Sequence, residues 1–317
     1  MKTLFIPESN AAWLKSLDGY HIFYVPRGYI FVDTSGTVYT LADSTFAGFS
    51  KSKKTRFFTD SSKLYPAGDS ILVYSKLKQE GVMVFLKNDS LHFSPNTLTY
   101  HYPSPPDYYN MNRNEVKMVN FNHHYCFLFN YGLNERGRNI NFLDSTAFFY
   151  LTPDSATHKL GKYPSYYFHQ YLPIRPSCFT TDNTGAIYYT HSFTDSIYKM
   201  DANGNILARS LIQCYVTPSY TEKDLTNLTY LRQYISAAEY NVSLLNVGAK
   251  YLVLLRKLEQ PAIINPIRYQ FYVYNTSLQL QFTDTIRASI SPKLFPTKHG
   301  FFVFTDHVDK LIEYEIE

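Results

Sequence analysis

One unit recurs along this chain of 317 residues. It consists of turn residues, a compact apolar run, a short loop and a second strand-like run. The clearest copy spans 182–209. Asp182-Asn-Thr-Gly185 reads as a turn and Ala186-Ile-Tyr-Tyr-Thr-His191 as a strand. Ser196-Ile-Tyr-Lys-Met200 reads as the next strand, Asp201-Ala-Asn-Gly204 as a tight turn and Asn205-Ile-Leu-Ala-Arg209 as a third strand. Asn-Gly between such runs is a strong hairpin signal, because the tight turn needs positive φ, which these residues tolerate.

Five further runs fit the template: 21–26, 71–76, 125–130, 251–256 and 301–306. Each follows turn residues: Asp18-Gly19, Ala67-Gly68-Asp69, Asn122-His-His124, Gly248-Ala249 and His299-Gly300. Each precedes another strand-like run, beginning near Gly28, Gly81, Asn139, Arg268 and Lys310. The period is irregular, about 50–65 residues, against about 40–50 for a compact four-stranded repeat, so some connections are long. A sandwich of many strands is the competing arrangement, but sandwiches rarely repeat one turn–strand–loop–strand unit six times. The expectation is an all-β chain folded as a single β-propeller over 1–317, with six four-stranded blades. They fall near 19–50, 63–102, 116–160, 176–211, 240–283 and 291–317. The last segment lacks a fourth strand, and Lys2–Ile6 is strand-like. The N-terminal strand is therefore expected to complete the sixth blade, since an unpaired edge exposes backbone donors and acceptors.

Composition agrees with this reading. Thirty Tyr and 24 Phe, with frequent Val, Ile and Thr, favour strands, and the 45% hydrophobic content argues against disorder. The formal charge of +4 arises from 30 basic and 26 acidic residues that are scattered, not striped, so no nucleic-acid partner is expected. The one basic run, Lys51 to Arg56, reads as a solvated loop. Cys126, Cys178 and Cys214 are odd in number and widely spaced; they form no disulfide framework or zinc pattern and read as buried thiols. Met1 to Pro7 is too short for a signal-peptide core, and no window is long and apolar enough to span a membrane. A periplasmic or cell-surface home is expected only if a leader precedes this sequence, and otherwise a cytoplasmic one. Leu225, Leu228, Leu231 and Tyr234 recur at helical spacing behind Thr221, so a short helix is expected between the fourth and fifth blades. Residues 107–115, behind Pro103, Pro105 and Pro106, read as a long loop.

Gly161-Lys-Tyr-Pro164, Ala186-Ile-Tyr-Tyr189 and Asp195-Ser-Ile-Tyr-Lys-Met-Asp-Ala-Asn-Gly204 resemble the six-bladed propeller proteins of Bacteroidetes grouped as DUF4221. The likeness centres on residues 160–210. It implies relatives that are typically secreted lipoproteins with no assigned activity, and it supplies no catalytic residue. This sequence departs from them in showing no lipobox cysteine and no leader.

In a propeller the loops entering the innermost strands, and those linking second strands to third, gather on one face where ligands bind. The sixth residue of each aligned run ends a second strand near that face. These residues are Pro26, Lys76, Asn130, His191, Arg256 and Asp306. Two readings are open: a ring of Lys76, Asn130, His191, Arg256 and Asp306 around a polar ligand, or strand ends that are polar because they reach solvent. Arg175 precedes an inner strand and carries a planar fork suited to carboxylate or phosphate, or to a structural salt bridge. His123-His124 and Asp306-His307 are adjacent pairs whose side chains point apart in a strand, so no metal is expected. No nucleotide, zinc-protease or serine-hydrolase motif appears, and no cofactor is expected. The pairs Tyr108-Tyr109 and Tyr166-Tyr167 offer rings to sugars or peptides, or to the core. The leading expectation is a non-enzymatic binding or scaffold protein for a glycan, peptide or protein. The alternative is a hydrolase or lyase acting on a saccharide or lactone, with His191 as base and Asp306 or Arg256 assisting.

Overall fold

A computed structural model describes residues 3–5, 12–17, 20–25, 28–33, 38–42, 62–67, 70–75, 80–87, 90–100, 116–121, 124–130, 146–152, 157–162, 177–182, 184–212, 229, 236–260, 266–289, 291–296, 300–304 and 310–316. These residues are nearly all β. They form six four-stranded antiparallel sheets. The first strand, β1 (Thr3–Phe5), joins the last sheet.

Sheet I holds β2 (Ala12–Leu17), β3 (Tyr20–Val25), β4 (Gly28–Asp33) and β5 (Val38–Ala42). Sheet II holds β6 (Ser62–Ala67), β7 (Ser70–Ser75), β8 (Glu80–Lys87) and β9 (Ser90–Thr99). Sheet III holds β10 (Val116–Phe121), β11 (His124–Asn130), β12 (Thr146–Leu151) and β13 (Thr157–Lys162). Sheet IV holds β14 (Ser177–Thr181), β15 (Ile187–His191), β16 (Ser196–Met200) and β17 (Ile206–Leu211). Sheet V holds β18 (Tyr240–Val247), β19 (Tyr251–Lys257), β20 (Ile267–Asn275) and β21 (Leu280–Ala288). Sheet VI runs β22 (Lys293–Pro296), β23 (Gly300–Phe304), β24 (Lys310–Glu315), then β1, with Thr3 opposite Ile312 and Phe5 opposite Lys310.

The six aligned runs coincide with β3, β7, β11, β15, β19 and β23, each the second strand of its sheet. First strands of successive sheets lie side by side: β2 beside β6 and β22, β6 beside β10, β14 beside β18, and β18 beside β22. These neighbouring sheets therefore adjoin through their first strands.

Local chemistry sets the hairpins. In the turn after β14, Asp182 Oδ1 accepts from the amides of Thr184 (2.9 Å) and Ala186 (3.1 Å), and Gly185 takes φ +84°. The turn after β16 repeats this geometry. Asp201 Oδ1 accepts from Asn203 and Asn205, and Gly204 takes φ +91°. The Asn205 side chain, whose Nδ2 donates to Asp201 Oδ2 at 2.8 Å, does most to hold the Asp201 carboxyl below its ordinary range, and the backbone amides add to it. After β20, Asn275 Oδ1 accepts from Ser277 and Gln279 in the same way, but Leu278 occupies the positive-φ position at +61°. Its side chain is buried between sheets IV and V, which opposes the steric cost of that conformation. Gly300 opens β23 because a Cβ there would overlap the Tyr314 carbonyl.

Alternation along the strands sends successive side chains into successive inter-sheet layers. Cys178, Tyr188 and Ile197 of sheet IV meet Leu252, Leu254 and Tyr272 of sheet V. Val253, Leu255 and Phe271 of sheet V meet Leu294, Phe301 and Val303 of sheet VI. The helix expected near 221–234, the basic run at 51–56, the loop at 107–115 and both Tyr pairs lie outside the described residues, apart from Thr229, which sits in a helical turn. Cys126 and Cys178 are buried thiols, while Cys214 lies outside. Among the described residues no helix is long and apolar enough to cross a membrane.

Candidate functional site

The second strands of sheets IV and V end on the same side of the stack, opposite the three Asx turns. β15 ends at Thr190-His191, and the link to β16 runs through Ser192, Phe193, Thr194 and Asp195. β19 ends at Arg256-Lys257. Apolar runs end here in polar residues, yet most of these residues are buried. A buried polar group costs free energy unless it finds partners, so each must be accounted for.

Asn241, near the start of β18, is the hub. Its Nδ2 donates to Thr190 Oγ1 (2.9 Å), the His191 carbonyl (2.8 Å) and the Thr194 carbonyl (3.1 Å). Its backbone N–H donates to the Ser192 carbonyl at 2.8 Å. Its own carbonyl faces the Cys178 thiol at 3.8 Å. One residue of sheet V thus holds the whole β15–β16 link of sheet IV. Within the link, Thr190 Oγ1 donates to the Ser196 carbonyl at 2.8 Å, and the Thr194 amide and hydroxyl both reach the His191 carbonyl.

Arg256 anchors the hub. Its Nη1 donates to Asn241 Oδ1 at 3.0 Å and its Nε to Glu239 Oε1 at 2.5 Å. The guanidinium is 0% exposed and the Glu239 side chain nearly so. The chain Glu239–Arg256–Asn241–(Thr190, His191, Thr194) is a charge-assisted network that crosses from one sheet to the next.

Lys257 points into the opposite layer. Its Nζ donates to the Ala238 carbonyl at 2.8 Å and lies 5.6 Å from the centre of the Tyr240 ring. Burial pushes its pKa down from 10.5 to about 8, against the pull of Glu259 and Glu239. Burial raises the Tyr240 phenol to about 12, with the neighbouring Tyr269 adding to the effect. The His191 ring meets Tyr189 edge-on at 5.5 Å, and Tyr189 stacks on Tyr198 at 5.0 Å.

Of the six residues singled out in the sequence, two are therefore described with their side chains. His191 and Arg256 belong to one network, joined through Asn241, although the guanidinium lies between sheets IV and V and the imidazole beside Tyr189. Asn130 ends β11 opposite Phe148 and is described by its backbone alone. Lys76, Arg175 and Asp306 lie outside the described residues, as do Pro26, His123 and His307. Sequence reading missed Glu239, Asn241 and Lys257. Lys257 had a signal in the basic pair that closes an apolar strand, which alternation must split between two layers. Asn241 had none, because its partners stand some fifty positions earlier. Among the described residues no group of three or more His, Cys, Asp or Glu is placed to hold a metal ion.

No protein-family model matches this sequence, and no curated protein matches it. In three dimensions the chain is similar to a member of the DUF4221 family from Bacteroides vulgatus. The TM-score is 0.66 at 9% identity, over 99% of this chain and 95% of that one. It also matches virginiamycin B lyase from Staphylococcus aureus (TM-score 0.44, 10% identity, 100% and 99% covered). A third match is the PQQ-bound aldose sugar dehydrogenase from Streptomyces coelicolor (TM-score 0.43, 9% identity, 100% and 97% covered). At those two scores neither enzyme carries an argument about this chain. The DUF4221 likeness, at 9% identity, bears on fold alone. The fold is nearly all β and propeller-like.

Proposed function

We propose that this chain is a six-bladed β-propeller of the DUF4221 kind, closed into a ring by β1, that acts as a non-enzymatic binding or scaffold protein. Its ligand, a glycan, peptide or protein, meets the face where the second strands end. The proposed site comprises Lys76, Asn130, His191, Arg256 and Asp306 at those strand ends and Arg175 ahead of β14. Within it Arg256 and His191 act as supports, because the guanidinium is fully buried and His191 is 2% exposed.

The observation that carries this reading is the grip of Asn241 on the β15–β16 link. A link held from the next sheet by the side-chain amide and the backbone N–H of one residue is ordered before any ligand arrives, and an ordered loop loses less entropy on binding. Arrays of glycans, peptides and proteins supply the test. Arg175→Ala, Lys76→Ala and Asp306→Ala should each weaken a captured ligand by about tenfold or more while leaving the melting temperature near that of the parent. Full affinity in all three variants would sink the site. The ring has its own test: removing residues 1–7 should lower the melting temperature of the whole chain, and an unchanged value would count against closure by β1.

A further inference from the structure

Among the described residues, every large apolar side chain that stands exposed lies on one of two strands. Ile206 (50% exposed), Leu207 (56%) and Leu211 (63%) are on β17, and Phe282 (37%) is on β21. Both strands are the outermost of their sheets, so each also presents a row of backbone donors and acceptors along its edge. β21 is exposed without a break from Gln281 to Thr285. Soluble proteins usually blunt such edges with charge, proline or a covering loop, because a bare apolar edge recruits another strand.

The two edges are complementary. Alternation puts Leu207, Arg209 and Leu211 on one face of β17, and Phe282, Asp284 and Ile286 on one face of β21. One edge reads apolar–cation–apolar and the other apolar–anion–apolar. The β17 face points away from sheet V and the β21 face towards sheet VI, so parallel pairing of the two edges brings them to one side. With Arg209 beside Asp284, Leu207 falls beside Phe282 and Leu211 beside Ile286. All three cross-strand pairs then match at once. Arg209 is already steered: its Nε and Nη2 donate to Ser196 Oγ at 2.9 and 2.7 Å, Nη2 forms an exposed ion pair with Asp195 Oδ1 at 3.6 Å, and its guanidinium lies 5.7 Å from the centre of the Tyr198 ring. A guanidinium has five N–H groups, so capacity for a further carboxylate remains. Within one chain these edges cannot meet, because sheets IV and V are stacked face to face through the layer that contains Tyr188 and Leu254.

We propose that the β17 edge is a self-association surface whose occupant is the β21 edge of a second copy of this chain, aligned by Arg209 and the partner's Asp284. The contact is heterologous, since it joins two different patches. Each pairing leaves one β17 and one β21 edge available, and assembly proceeds head to tail.

Sedimentation velocity over a concentration series tests this. The parent protein should gain mass as concentration rises. Arg209→Glu and Asp284→Lys should each weaken association by about tenfold or more, because like charges then face each other. An equimolar mixture of these two variants should associate again, as the reversed charges are complementary across the two proteins, and the double variant should do so alone. Phe282→Lys should abolish association without disturbing the Arg209–Ser196 contacts, which guards against a folding defect in Arg209→Glu. A parent that is monomeric throughout the series would overturn the proposal. So would association indifferent to the single reversals, or a mixture no stronger than its components.

Discussion

Sheet V is packed on both faces, and its two faces are held differently. Towards sheet VI it offers Val253, Leu255, Phe271 and Val273 to Leu294, Phe301 and Val303, with the Phe271, Phe301 and Tyr314 rings in mutual contact at 5.0–5.5 Å. Towards sheet IV a similar apolar layer ends in Glu239, Arg256 and Asn241 on the loop side. Apolar burial is non-directional: it presses two sheets together but says little about where a loop at their rim must lie. The polar chain is directional and fixes the β15–β16 link relative to β18. A polar junction costs desolvation for both ions and is fragile if halved, so it contributes positioning more dependably than stability.

Three outcomes would break or sharpen that contrast. The largest effect is expected for Glu239→Ala, which strands the Arg256 charge inside the layer and should cost about 4 kcal/mol of unfolding free energy. The paired change Glu239→Leu with Arg256→Met makes the junction resemble its apolar counterpart and should cost under about 2 kcal/mol. Urea titration of both measures the difference, and equal losses would erase the distinction. Next, Phe301→Ala on the sheet VI side should cost about 3 kcal/mol by opening a cavity. Hydrogen exchange at Thr194 and Asn241 should stay as slow relative to global unfolding as in the parent. Faster local exchange there would mean that the two faces of sheet V are not separable.

The smallest effect is a pH profile. Lys257 has its pKa lowered from 10.5 to about 8, so between these values the unfolded chain holds a proton that the folded chain has shed. Stability therefore rises with pH across that window. Tyr240 works in the other direction. Its phenol is raised from 10.0 to about 12, and the stabilisation present below pH 10 is lost as pH climbs towards 12. Tyr188, Tyr189 and Tyr274 are raised too, chiefly by burial. The melting temperature should climb from pH 8, peak near about pH 10 and then fall. Lys257→Met should flatten the rising limb alone.

Much of the architecture was legible because it is local. Turn residues next to apolar runs located the six second strands, and Asp201 to Gly204 announced its own hairpin. Asn275 to Gln279 makes the same turn but escaped notice, because Leu278 stands where the other two turns carry glycine. The strand ends were legible as polar and illegible as buried. Arg256 closes an apolar run as a solvent-seeking residue would. Only the arrival of Asn241 on the first strand of the same sheet, and of Glu239 just ahead of it, turns it inward. That information sits in tertiary contacts, which no local pattern encodes.

The pairing of β1 with β24 has a consequence for the chain as it is made. Of all these strands, β1 leaves the ribosome first and its partner last. At cellular synthesis rates the interval is on the order of tens of seconds. Throughout it β1 waits without its partner, while the sheets between them can already collapse. The final loop closure is entropically modest once those sheets are in place, since its cost grows only with the logarithm of the disordered length. Yet a waiting strand is also a strand that a neighbouring nascent chain on the same message can borrow. Expression yield and the fraction of intertwined species should therefore respond to translation speed through the codons for β24.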